Sequence, residues 1–337
     1  MIVEFVHNSK SIFIDIDSCT RANSGNEAAE SVAFSAAANA FREFVSTQDF
    51  ESIVDSGLLQ ALAIFSELSK LSINEVLKQS RSSVLKKIYR NLYESFGMQT
   101  STNFECRNDE VVVKGGYCEL RKGGLYRDVR VYDMVSMYPS VMIAFNLGPN
   151  CTRLTNEESD VCIGASQYVQ CVGNADVGVL AKSQLLLRQL KSNAECSVRR
   201  KVYKSIANSA YGLACNNEPL FGGKVVAAAV TEIARSIMQA LVAYCEEKHL
   251  DFIYGDTDSI FVVGDIDTAE ALKCILKEKH EHFELKLENS FKYFIQGKCK
   301  TYAALTDSNG IVVRGVKRPI RTDYSFQKLQ SFEINTN

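Results

Sequence analysis

Between residues 58 and 93 apolar side chains recur every three or four positions: Leu58, Leu59, Leu62, Ile64, Phe65, Leu68 and Leu71, then Val84, Leu85, Ile88, Leu92 and Tyr93. That interval follows the 3.6-residue turn and predicts amphipathic helices with one face on a core. Helical signals run from about Ala28 to Gly97, and ahead of them lies one short strand candidate, 11–17, followed by a polar loop at 23–26. Further on the pattern becomes β-like. The runs Asp251-Phe252-Ile253 and Ile260-Phe261-Val262-Val263 alternate and are rich in β-branched and aromatic residues, and Val129-Arg130-Val131-Tyr132 also reads as a strand. Ala181 to Leu190 and Val198 to Tyr211 predict two helices joined by the polar turn Ser192-Asn193-Ala194. The most apolar long stretch, Val225 to Tyr244, is broken by Glu232 and Arg235, so it predicts a buried helix and not a membrane span. The expected class is α+β, an antiparallel sheet packed on helices.

Composition narrows this only slightly. At 337 residues and 46% hydrophobic the chain can build an ordinary core. Its formal charge of -2, from 38 basic and 40 acidic residues, does not announce a nucleic-acid binder, so any such binding must come from a local patch. Eleven cysteines without a CxxC pair argue against a zinc site or a disulfide framework and suit reduced thiols in an intracellular setting, nucleus or cytoplasm. The start, Met1-Ile2-Val3-Glu4-Phe5, lacks the features of a signal peptide. His280 and His282, with Glu281 and Glu284, read as a polar helix face and not as a metal cluster.

The chemistry concentrates in Tyr254-Gly255-Asp256-Thr257-Asp258-Ser259, an acidic knot between two strand-like runs. Gly and Asp at its centre predict a tight hairpin with both carboxylates at the turn. Crowded carboxylates repel unless a cation neutralises them, and hard oxygen ligands suit Mg²⁺. Taken alone, the knot is equally an ordinary solvated turn. A second stretch, Tyr132-Asp133-Met134-Val135-Ser136-Met137-Tyr138-Pro139-Ser140, ends a strand in one Asp. A third, Lys204-Ser205-Ile206-Ala207-Asn208-Ser209-Ala210-Tyr211-Gly212, lies on the second predicted helix. There Arg200, Lys204, Asn208 and Tyr211 share one face, a basic, amide and aromatic stripe suited to phosphate oxygens and a base pair, or else a solvated face.

Together these stretches resemble the three polymerase motifs of family B DNA polymerases, DxxSLYPS, Kx3NSxYG and YxDTDS, in the family's order. The resemblance spans about residues 58 to 325 and implies a palm sheet, a short two-helix fingers subdomain and a helical amino-terminal segment. The implied layout is 1–110 for that segment, 111–155 for the first part of the palm, 156–213 for the fingers and 214–337 for the rest of the palm, with the thumb largely absent. The reaction it implies is templated addition of deoxynucleoside triphosphates to a primer 3′ end, without proofreading. Two Mg²⁺ ions, with Mn²⁺ as a substitute, would sit on Asp133 and Asp258, and Asp256 would stand nearer the edge of the site. Lys204 would grip the phosphates and protonate the leaving pyrophosphate, with Asn208 and Arg200 assisting and one further cation from Arg188 or Lys191. Ser136, Met137 and Tyr138 would border the incoming nucleotide, the Tyr138 ring excluding a 2′-hydroxyl.

Weaker matches add a DNA path. Gly115 and Gly116 resemble the YxGG element that contacts the template, with Val113 in place of its Tyr, and Tyr211 and Gly212 would border the base pair. Lys298, Lys300 and Tyr302 resemble the KxKxY element that holds the duplex, in a stretch from Lys298 to Lys328 with seven basic residues against two acidic ones. Asp15 and Asp17 resemble the start of a proofreading exonuclease, but the distance to Asp133 is too short for that whole domain. The resemblance points to a gene of a virus or mobile element and leaves room for a second chain supplying exonuclease or thumb. Three other readings stand beside it: a reverse transcriptase or RNA polymerase, separated by comparing deoxy- and ribonucleotide incorporation; a DNA-binding remnant without metal-dependent extension; and one chain of a split enzyme, inactive until its complement is added.

Overall fold

The computed structural model describes residues 2–7, 10–15, 57–99, 111–164, 167–171 and 178–315. Two compact units emerge, Met1–Val113 with Phe145–Ala229, and Lys114–Ala144 with Val230–Asn337. The expected divisions at 155 and 213 both fall inside the first of them. The sequence-based expectations for 16–56 and for 316–337, including Asp17, Lys317, Arg318 and Lys328, lie outside the described residues.

In the first unit, β1 (Ile2–His7) and β2 (Lys10–Asp15) pair antiparallel, two strands where the sequence pattern suggested one. Helices α1 (Gly57–Ser69), α2 (Ile73–Lys78) and α3 (Arg81–Ser95) follow. Ser72 and Glu75 close a capping box on α2, and Ser80 caps α3, which fixes the two sharp turns between the helices. The predicted apolar positions of α3, Val84, Leu85, Ile88, Leu92 and Tyr93, are all buried. Helices α5 (Val179–Ser192) and α6 (Ser197–Cys215) form the expected antiparallel pair. Helix α3 is bound into this pair: the buried Tyr89 hydroxyl donates to the Ile206 carbonyl at 3.1 Å and accepts from Gln184 at 3.0 Å, and Arg81 donates to Ser205 at 2.9 Å. The amino-terminal helices and the helical pair therefore build one core. A small sheet absent from the sequence reading, β5 (Thr152–Thr155), β7 (Gln167–Cys171) and β6 (Val161–Gly164) in that spatial order, completes the unit.

The second unit is a seven-stranded antiparallel sheet. Its strands are β3 (Cys118–Leu120), β4 (Gly124–Met134), β8 (Asp251–Asp256), β9 (Ser259–Val263), β10 (Leu285–Lys298), β11 (Thr301–Thr306) and β12 (Ile311–Arg314), in the order β12-β11-β10-β4-β9-β8-β3. Strand β4 is therefore paired on both edges. One face carries an aromatic cluster in which Phe261, Phe294 and Tyr302 lie 5.2 to 5.5 Å apart by ring centre. Asp128 takes the left-handed conformation, φ 55, and the strand changes face there: Val129 and Val131 are buried, while Arg127 and Leu125 point outward. Leu125, Ile295, Ala303 and Val313 are successive cross-strand neighbours, and the first, second and last are exposed apolar side chains. Helices α4 (Met137–Ala144) and α8 (Thr268–Leu276, capped by Asp267) flank the sheet.

Helix α7 (Gly223–Glu247) contains the stretch predicted as a buried helix. With the short turn before it, this is the one described segment long and apolar enough to cross a membrane; 72% of that window is buried within the protein, as in a core helix. His280 and His282 lie on a 3-10 turn, Lys277–His282, and no group of three or more potential metal ligands occurs among the described residues.

Candidate active site

The acidic knot folds as predicted. Strands β8 and β9 pair with Asp256 opposite Ser259, leaving Thr257 and Asp258 as a two-residue turn. Phe252, Ile253, Tyr254, Ile260, Phe261 and Val262 are all buried, and a bulge at Ile253 lets Tyr254 face Phe261 while Phe252 faces Val262. Thr257 has φ 58, a conformation that β-branched residues rarely adopt. Its N–H donates to the Tyr117 carbonyl at 2.7 Å, and that bond holds the strained residue in place. A Cβ on Gly255 would sit 2.6 Å from Tyr117 Cε1, so the motif needs glycine there to admit the ring. Gly255→Ala is expected to lower unfolding stability by about 1–3 kcal/mol through this overlap; denaturant melts of the two proteins measure it, and coincident curves would remove the Tyr117 contact from the account.

Strand β4 delivers Asp133 to the same point. Asp133 lies opposite Ser259 in the ladder, the Ser259 hydroxyl donates to Asp133 Oδ1 at 3.1 Å, and the Met134 N–H donates to the Asp258 carbonyl at 2.8 Å. Two acids 125 positions apart are thereby neighbours. Burial, and then the Asp133 charge, push the Asp258 carboxyl up to about 7; Asp256 and Glu288 add to the push, against one backbone hydrogen bond. Near neutral pH the pair resists holding two negative charges unaided, which is the electrostatic signature of a cation site. Glu288 and Ser259 carry no role in the sequence reading. Ser259 could have been found as the last residue of its motif, whereas Glu288 reaches the site only through the pairing of β10 with β4.

Asp256, expected nearer the edge of the site, is held by donors from its own unit. Lys300 Nζ donates to its Oδ1 at 2.6 Å, Thr257 Oγ1 to the same oxygen at 3.1 Å, and the Tyr254 hydroxyl to Oδ2 at 2.8 Å. Both oxygens are occupied by protein donors. Lys300, expected to hold duplex, is bonded to Asp256 with its side chain still 63% exposed, and its backbone N–H also donates to Tyr254. Tyr302, expected in the same role, is half-buried, with its ring against Phe261, Phe291 and Phe294 and its hydroxyl bonded to Arg314. Lys298 remains exposed at the end of β10.

The second motif turns sharply after Asp133. Ser136 has φ 50, and α4 begins at the next residue. Met137 is 2% exposed, so its side chain belongs to the core and a nucleotide contact there would fall to its backbone. Tyr138 is only half-buried. A Cβ on Gly116 would meet the Tyr138 hydroxyl at 3.1 Å and Thr257 at 3.2 Å, so Gly116 lies against both the ring and the acidic turn. Gly115 offers its carbonyl to Arg235 Nη1 at 2.6 Å, and Glu232 orients that arginine from the preceding turn of α7. The Gly-Gly element is therefore positioned by α7 as well as by its own chain.

In the first unit α6 carries the third motif. Arg200, Lys204, Asn208 and Gly212 are exposed and Tyr211 is half-buried, while Val202, Tyr203, Ile206, Ala210 and Leu213 are buried on the opposite side. The predicted stripe exists as an accessible face. Arg200 Nε also donates to the Ala194 carbonyl at 3.1 Å, tying the helix start to the preceding turn. Arg188 and Lys191 both lie in the second half of α5 and both are half-buried, so exposure does not separate them.

Residues 188–334 match the family model described as DNA polymerase family B. The chain is 29% identical to DNA polymerase 2 of Aeropyrum pernix over 60% of its own length and 27% of that protein's, and 26% identical to DNA polymerase 1 of Sulfolobus acidocaldarius over 82% and 35%. It is 28% identical to the DNA polymerase of Archaeoglobus fulgidus over 58% and 26%. Among solved structures, the family B DNA polymerase of Pyrobaculum calidifontis superposes with a TM-score of 0.53 at 26% identity, covering 77% of this chain and 36% of that one. The chain spans about a third or less of the length of these relatives.

Proposed function

We propose that this chain, a relative of family B DNA polymerases, is the palm and fingers of a DNA-directed DNA polymerase that extends a primer with deoxynucleoside triphosphates. The observation that carries the reading is the convergence of Asp133 on β4 with Asp258 in the neighbouring β8–β9 turn, Asp258 being pushed up to about 7 by burial and by its partner's charge. Such a pair fits divalent cations. Asp133 and Asp258 would hold two Mg²⁺ ions, whose charge would make the primer 3′-hydroxyl more acidic and offset that of the triphosphate. Asp256, held by Lys300, Thr257 and Tyr254, would stand at the edge of this set.

The chain's own groups supply the rest. Ser259 donates to Asp133 and so fixes the orientation of its carboxylate. Tyr138, beside Gly116, would leave no room for a 2′-hydroxyl on the incoming sugar. On the exposed stripe of α6, Lys204 and Arg200 would bind triphosphate oxygens, and Lys204 Nζ would give a proton to the pyrophosphate oxygen as it leaves; Asn208 and Tyr211 would lie along the nucleotide and base pair. Backbone phosphates of the primer-template would meet Lys298, with Gly115, Gly116 and Gly212 providing close approach for the strands.

The test is primer extension by the purified chain. Mg²⁺-dependent extension that EDTA stops is the expected result. Primer-template binding with no extension under any divalent metal would replace this reading with that of a DNA-binding remnant. Extension that appears only when a second chain is added would establish a split enzyme.

A further inference from the structure

Cys118 and Cys299 are 181 positions apart in sequence and lie together at one end of the large sheet. Cys118 opens β3, directly opposite Asp256 in the β3–β8 ladder. Cys299 occupies the two-residue turn between Lys298 and Thr301, next to Lys300, whose ammonium is bonded to Asp256. Asp256 thus brings the turn and β3 to one place, and the Cys118 thiol has Cys299 as a near neighbour. Both cysteines are exposed. The other cysteines described in this unit, the buried Cys245 and the exposed Cys274, lie on α7 and α8.

From this juxtaposition we infer that Cys118 and Cys299 form a reversible oxidation site, a dithiol that closes to a disulfide with a peroxide or a small-molecule disulfide and latches the β10–β11 turn to β3. Neighbouring sulfurs have still to close to a disulfide length of about 2.05 Å. The turn holding Cys299 contains Lys300 in the left-handed conformation, φ 60, and has only two residues, so the approach is a local adjustment of a surface hairpin. With a peroxide, the Cys299 thiolate attacks one oxygen, the O–O bond breaks, and the departing hydroxide takes up a proton as water. The Cys118 thiolate then attacks the sulfenic sulfur, the S–O bond breaks, and a second water leaves. Two electrons from the thiols reduce one peroxide, and the two thiol protons end in the two waters. Because the bridge is exposed, thiol reductants reach it, which makes it a labile bond and not a structural one. Once closed, it holds Lys300 on Asp256, and so bears on the residue expected to serve the duplex.

The experiment treats the folded full-length chain with stoichiometric hydrogen peroxide, or with oxidised glutathione, then blocks remaining thiols by alkylation and maps the peptides by mass spectrometry. The expected product is a peptide pair joined through Cys118 and Cys299, lost on treatment with dithiothreitol. A melting midpoint ~3 °C or more above that of the reduced chain should accompany it, absent from Cys118→Ser and from Cys299→Ser. Full alkylation of both cysteines after oxidation would overturn the inference. So would Cys299 joined to other cysteines as often as to Cys118, or a bridge that forms equally fast in the urea-unfolded chain. Neither result depends on polymerase activity.

Discussion

Asp258→Ala is expected to reduce primer extension by roughly 10³-fold or more, since it removes several kcal/mol of electrostatic stabilisation from the reacting centre, while primer-template affinity changes by no more than about twofold. Steady-state kinetics and a binding titration at fixed salt read the two quantities separately. The folded state gives a control that a misfolded variant would fail. The Asp258 carboxyl is raised to about 7 in the folded chain, far above the 3.8 of an ordinary aspartate. Between those values the folded chain binds more protons than the unfolded one, so stability without metal falls as pH rises and the penalty is complete above about 7. Asp258→Asn, which removes the charge and keeps the shape, should therefore melt higher than the parent at pH 8 and match it near pH 4. Mg²⁺ should raise the melting midpoint of the parent at pH 8 and leave that of Asp258→Asn in place. Extension within tenfold of the parent by Asp258→Ala would remove Asp258 from the chemistry. An Asp258→Asn chain that melts lower than the parent at pH 8 would remove the repulsion between the two acids.

Tyr138→Ala should relax sugar discrimination by roughly 10- to 200-fold, the range available when a pocket rejects or admits one small group by shape, with deoxynucleotide incorporation affected far less. Tyr138→Phe keeps the ring and should keep the discrimination, because the argument concerns volume and not the hydroxyl. Single-nucleotide incorporation with matched deoxy- and ribonucleotides measures the ratio. The half-buried ring stands beside Gly116 and the acidic turn, so truncation opens space on the side where the sugar is proposed to lie. A ratio within twofold of the parent for Tyr138→Ala would assign the ring to packing alone.

How much of this could be read from the chain depends on how local the cause is. The hairpin of β8 and β9 and the exposed face of α6 were legible because each is set by spacing within a few residues: two alternating runs around a Gly-Asp turn, and side chains four apart on a helix. The convergence of Asp133 and Asp258 followed from the family motifs and not from any local pattern, since nothing near either residue says that β4 lies between β9 and β10. The same limit hid the small sheet of β5, β6 and β7, whose strands are four or five residues long and mix polar and small side chains. It also hid the fate of Asp256, Lys300 and Tyr302. Their contacts, an ion pair across 44 positions and an aromatic cluster from three strands, exist only once the sheet is assembled. Alternation failed as a guide on β4 itself, because the left-handed Asp128 exchanges the two faces midway. Glycine was the most informative single residue type: Gly255 and Gly116 each mark a place where a tyrosine comes too close for a side chain.

Asp133 ends a strand that is hydrogen-bonded on both edges, and the residue after it is bonded to Asp258 itself. The backbones that carry the two acids are therefore tied together by hydrogen bonds between neighbouring strands, whose pitch is about 4.8 Å. Parting them means breaking that bond and the β4–β9 rungs beside it. If the chain admits a substrate and expels a product, the travelling parts belong to other segments, and the acids act as the fixed post against which that travel is measured.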